Sequence, residues 1–193
     1  RGLPVLSRAG FVPNAAATCF GKLAAPMRVV SRPPARLLSH PLPESRIADA
    51  RMRARQLPSV RLPPSLSFHL AKARIEARYI YDKDHSLEHF ENAVKQRSVV
   101  PQADQYGLAL ALLRHEKPQQ ALNIIEKLIA ESHDNLFYID TLTDVLIALE
   151  KPQEAVKELQ QRLVNLPRNP VIVLNLANAA IEAEQFDYAT ELL

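Results

Sequence analysis

Between Ser65 and Leu193, apolar side chains recur three and four residues apart, the spacing that lines one face of an α-helix. They group in pairs of stretches: Leu108, Ala109 and Leu112 ahead of Ile125, then Leu142 and Leu146 ahead of Leu159, then Leu176 and Ala177. The pattern predicts helical hairpins. Before residue 65 the periodicity is cut by prolines, which remove a backbone donor and turn the preceding residue away from helix. Only short helices fit there, over residues 3–9, 15–23 and 44–55. The fold class expected is all-α, with residues 1–57 the end of a helical domain, 58–66 a proline-rich linker and 67–193 a hairpin array.

The hairpins repeat. Glu116-Lys117-Pro118-Gln119-Gln120-Ala121 returns as Glu150-Lys151-Pro152-Gln153-Glu154-Ala155 and more loosely as Glu184-Gln185-Phe186-Asp187-Tyr188-Ala189. The alanines at 121, 155 and 189 set a period of 34 residues, the length of a tetratricopeptide unit. A small residue early in each second helix lets it approach the first closely. Pro167 falls between units, and Gln105, Ile139 and Val173 occupy the position where this repeat class carries tryptophan. Repeats are expected at about 102–135, 136–169 and 170–193, the last cut within its second helix and expected to continue. A degenerate unit over about 68–100 precedes them, pairing helices near 68–80 and 86–96. Arrays of this kind present their first helices to polypeptide ligands. Tyr106, Asp140, Asp144 and Asn178 are the peptide-binding candidates there, with a solvated helix position the plain alternative for each.

Charge sharpens the boundary. Residues 1–66 carry eleven Lys/Arg against two Asp/Glu, or +9, and residues 67–193 carry thirteen against nineteen, or −6. Ten of the fifteen prolines also lie in the first part. The acidic array favours basic partners. The scattered arginines lack interleaved aromatics or a reading motif, so nucleic acid is not expected as a partner. No window of about 18 apolar residues exists, which excludes a transmembrane helix. The single Cys19 has no disulfide partner within the chain and is expected to be a small buried hydrophobe.

The segment with chemical content is Ser39-His40-Pro41-Leu42-Pro43-Glu44-Ser45-Arg46. Its prolines hold His40 on extended backbone, and Glu44 suits the first turn of the arginine-rich helix that follows. Together with Leu6-Ser7-Arg8-Ala9-Gly10-Phe11-Val12-Pro13, Phe20-Gly21-Lys22-Leu23, Arg32-Pro33-Pro34 and the repeats, this order resembles the periplasmic zinc metallopeptidases with C-terminal tetratricopeptide repeats. That family carries H-E-x-x-H and a later E-x-x-x-D ligand motif, and neither occurs here. The resemblance implies a segment of a zinc endopeptidase acting in quality control of outer-membrane proteins, inactive by itself. The zinc cofactor would be bound chiefly by residues elsewhere in the parent enzyme, and the address would be periplasmic. Polypeptide substrates and the outer-membrane assembly machinery would meet the repeats.

By the same resemblance, His40 sits beside the zinc as a fourth metal ligand that holds the enzyme latent, or as an oxyanion donor. Arg46 would face the same cleft as a catalytic oxyanion or substrate contact, an ion pair with Asp49 or Glu44 being its alternative. His85-Ser86-Leu87-Glu88-His89 spells an inverted zinc-peptidase signature, but without further ligand motifs it reads as a helix start. The rival from another class is a non-catalytic repeat scaffold behind an organellar targeting stretch, since residues 1–43 contain six basic and no acidic side chains.

Overall fold

The computed structural model describes residues 2–24, 43–96 and 98–193, and all their regular structure is helical. The chain divides between Pro63 and Pro64 into two compact units.

The first unit holds α1 (Gly2–Arg8), α2 (Ala15–Ala24) and α3 (Pro43–Ala54). Gly10 ends α1 with φ +78°, a conformation that costs glycine nothing. Its amide bonds Ser7 O at 3.1 Å while that of Phe11 reaches Leu6 O at 2.9 Å, which satisfies the last carbonyls. α2 and α3 pack through small side chains, Ala17 and Ala24 against Ile47, Ala50 and Ala54, all buried. One expectation fails here: Cys19 is exposed rather than buried, and Leu23 beside it is 65% exposed. Only Ala17 and Ala24 of α2 are buried, seven residues apart on one narrow stripe, and Cys19 lies about 200° around the helix from Ala17.

The second unit strings hairpins together: α4 (Leu66–Ile75) with α5 (Lys83–Lys95), α6 (Pro101–Arg114) with α7 (Pro118–Glu131), α8 (Leu136–Ala148) with α9 (Pro152–Asn165), and α10 (Pro170–Glu182) with α11 (Phe186–Leu192). The 34-residue period extends to backbone detail. Asn135 and Asn169 cap α8 and α10 by accepting from Phe137 N and Val171 N at 3.1 and 3.0 Å. Pro118 and Pro152 open α7 and α9, where a missing N–H costs nothing. Glu116, Glu150 and Glu184 all take positive φ, 58°, 59° and 60°. Each left-handed residue reverses the chain so that the next amide reaches back five residues, as from Lys151 N to Leu146 O at 2.9 Å.

Ala121, Ala155 and Ala189 are buried at 0%, 1% and 4% exposure, which is what close helix approach requires. Ile125 and Leu159 fill the interior beside them. The degenerate unit departs from the pattern in two ways. α4 continues past Ile75 as a π-helical turn, Glu76–Ile80, which one residue too many per turn creates. Phe90 of α5 lies flat against Gly107 of α6, where an added Cβ would stand 2.1 Å from the ring.

Candidate functional site

Along one side of the array, the first helices carry a polar lattice. Arg74 near the end of α4 donates from Nε to the hydroxyl of Tyr106 on α6 at 2.7 Å and from Nη2 to Asp140 Oδ2 on α8 at 2.6 Å. Its guanidinium stands 5.0 Å from the centre of the Phe137 ring and reaches Phe137 O at 3.5 Å. Asp140 Oδ1 accepts from Asn175 Nδ2 of α10 at 3.0 Å. One turn along both partners, Arg78 of the π-turn donates to Asp144 Oδ2 at 2.7 Å. Two arginine–aspartate rungs therefore join the α4 side to α8 across α6, and the first continues into α10.

The rungs differ in strength of support. Tyr106 is fully buried, its hydroxyl also accepting from Thr141 Oγ1 at 3.3 Å. Burial pushes the Tyr106 phenol above its usual range, and Arg74 works against that shift. Arg74 itself is held above the ordinary guanidinium value: burial lowers it, but Tyr106 and Asp140 together more than reverse that. Asp144 is raised by burial and then by Asp140, with Arg78 and Arg74 opposing. Among the described residues it accepts one hydrogen bond, and its side chain keeps 35% exposure against 23% for Asp140.

The four peptide-binding candidates thus occupy different situations. Tyr106 is an interior strut, Asp140 is shared by Arg74 and Asn175, Asp144 is held on one side, and Asn178 is exposed on α10. Positions 34 residues apart explain the grouping: Tyr106, Asp140 and Leu174 are equivalent, as are Leu110, Asp144 and Asn178. The sequence reading missed Arg74, Arg78 and Asn175. For the two arginines the only signal was their four-residue spacing, matching that of Asp140 and Asp144.

In the first unit, Arg46 is exposed and its guanidinium lies 4.4 Å over the centre of the Phe20 ring. Asp49, one of the two acids considered for it, instead pairs with Arg53 Nε at 2.8 Å. Arg46 and Phe20 line an open groove of about 960 Å³ that also includes Leu6 and Met52. His40 lies outside the described residues. His85 and His89 sit in the first turns of α5 with ring centres 6.4 Å apart, and Tyr81 packs on both at 4.8 and 4.7 Å. Among the described residues, no three His, Cys, Asp or Glu side chains are placed to hold a metal ion.

Sequence comparison adds the decisive relationship. A β-barrel assembly-enhancing protease from Yersinia pestis is 36% identical over 193 residues, all of this chain and 40% of the relative. Its counterpart from Escherichia coli strain K12 is 38% identical over 193 residues, covering 39% of its length. The chain matches a segment of the β-barrel assembly-enhancing proteases along its whole length. It spans about two fifths of these relatives. The H-P-L-P-E-S-R segment and the repeats that pointed to zinc metallopeptidases with tetratricopeptide arrays thus belong to one homologous stretch. No protein-family model matches the chain.

Proposed function

We propose that this chain is the part of a zinc-dependent envelope endopeptidase that joins the rim of its catalytic domain to a tetratricopeptide array, and that the array holds polypeptides during outer-membrane protein assembly. The observation that carries this reading is homology, along the whole of this chain and about two fifths of the relatives, to proteases named for β-barrel assembly. The hairpin array and its acidic surface support a polypeptide-binding role on physical grounds. None of the described helices is long and apolar enough to cross a membrane, which is compatible with a periplasmic address.

The described residues do not make up a metal centre. A zinc ion of the parent enzyme would polarise the scissile carbonyl and activate water. This chain would contribute His40, as latch or oxyanion donor, and Arg46. The planar guanidinium of Arg46, steadied on Phe20, suits a substrate carbonyl or carboxylate. By itself the chain is proposed to cut nothing.

The test uses the full-length parent protein with an unfolded outer-membrane β-barrel protein as substrate. Stoichiometric zinc and zinc-dependent cleavage are expected, and the absence of both would remove the reading. His40→Ala separates its two roles: lost cleavage identifies the oxyanion donor, increased cleavage the latch.

A further inference from the structure

The two rungs on the array are built from the same residue pair but not to the same standard. Arg74 and Asp140 are locked from every side, by Tyr106, Phe137 O and Asn175, and both are three-quarters buried. Arg78 and Asp144 touch each other through one bond and are about one-third exposed. Arg78 is also carried on a π-turn, the less regular end of its helix, whose Ala77 carbonyl and the carbonyl of the following Tyr81 are tied down by Arg114 rather than by Arg78 itself. Releasing Arg78 from Asp144 therefore breaks nothing else in the lattice.

From this asymmetry we infer that Asp144 is the array's receptor for a cationic side chain of a bound polypeptide, and that Arg78 is its internal stand-in. Asp140 is structural. A guanidinium or ammonium group arriving from a ligand replaces Arg78 on a carboxylate whose side chain is already about one-third exposed, with exposed Asn178 one equivalent position farther along on α10. The surroundings fit such a ligand. From Asn169 to Leu193 the chain has four acidic and no basic side chains, a local charge balance that favours a cation. The groups that bear electrostatically on Asp144 are Asp140 on its own helix, Arg78 on the π-turn and Arg74 on α4. With Arg74 committed to Asp140, Arg78 is the one that can exchange. Exchange conserves charge, one cation for another, so the cost of uncovering a carboxylate is never incurred in full.

The inference rests on the proposed polypeptide-binding role and specifies what the array prefers. It is tested with the full-length parent protein and two fluorescein-labelled, unstructured peptides identical except that one carries arginine where the other carries citrulline, which keeps the shape and removes the charge. Wild type is expected to bind the arginine peptide several-fold more tightly. Asp144→Asn should abolish that ratio, and Arg78→Ala should raise it, because the internal competitor is gone. Asp140→Asn, read as the same ratio, should leave it unchanged even where stability falls. Persistence of the wild-type ratio in Asp144→Asn overturns the assignment, as does an unaltered ratio in Arg78→Ala. Equal binding of both peptides by wild type removes this inference alone. Binding of neither removes it together with the polypeptide-binding role.

Discussion

Arg74 on α4 and Asp140 on α8 lie 66 residues apart in sequence, yet their Nη2 and Oδ2 atoms are 2.6 Å apart. The pair ties the first hairpin to the third over the buried Tyr106 of the second, so it makes an otherwise nearest-neighbour array more cooperative. Asp140→Ala should cost about 2 kcal/mol, because it strands a largely buried guanidinium that then has only neutral acceptors. Replacing both partners, Arg74→Met with Asp140→Leu, should cost less than the sum of the single changes. Urea unfolding of the full chain measures both. Additive costs would mean that the pair contributes no coupling.

Tyr138 is 1% exposed and its hydroxyl has no hydrogen-bond partner among the described residues. Burial, then Glu131 and Tyr106, push its phenol up to about 12. A raised folded value means that the stabilising contribution is complete below the ordinary phenol range near 10 and is lost as pH rises from there to about 12. Tyr138→Phe should flatten the loss of stability across that window and raise neutral-pH stability by up to about 1 kcal/mol, since an orphan hydroxyl is removed. Thermal melts from pH 7 to the alkaline limit, with phenolate absorbance followed in parallel, report both effects.

Glu150 holds φ at 59° between α8 and α9, which a side chain bearing a Cβ tolerates poorly. Glu150→Gly should stabilise the array by about 0.5–1 kcal/mol, the relief of strain exceeding the entropy glycine adds to the unfolded chain. A fall in the denaturation midpoint would show that the glutamate side chain supplies compensating contacts.

Gly107→Ala should be the most damaging conservative change in the array. The new methyl would meet three atoms of the Phe90 ring at 2.1–2.5 Å, a ring that is 2% exposed. A loss of about 2–3 kcal/mol is expected. Phe90→Leu in the same background should return part of it. Equal stability of the single and double variants would place the damage elsewhere.

Much of the fold was legible because the information is local and repeated. Ala121, Ala155 and Ala189 had to be small, Pro118 and Pro152 had to begin helices, and Gly10 had to end one. The 34-residue period follows from the three alanines alone, whereas the resemblance rested on the segments from Leu6 to Arg46 together with the repeats. The left-handed turns at Glu116, Glu150 and Glu184 left no such mark. Glutamate does not favour that conformation, and only the closing bonds from the next amide impose it.

The candidate site divides the same way. Periodicity assigned Tyr106, Asp140, Asp144 and Asn178 to the first helices. It gave no means of telling a strut from a ligand-facing group, because their exposure depends on what α4 and α10 lay across them. Arginines and aspartates are frequent throughout the array, and which of them meet is settled by how whole hairpins stack. The sequence alone thus determined the helices, their 34-residue repeat and the small residues that let them pack, all consequences of short-range geometry. Tertiary structure alone decided that Arg74 closes on Asp140 and that the Asp144 side chain stays about one-third exposed. Charges in contact at 2.6 Å but 66 residues apart in the chain are paired by packing, not by spacing.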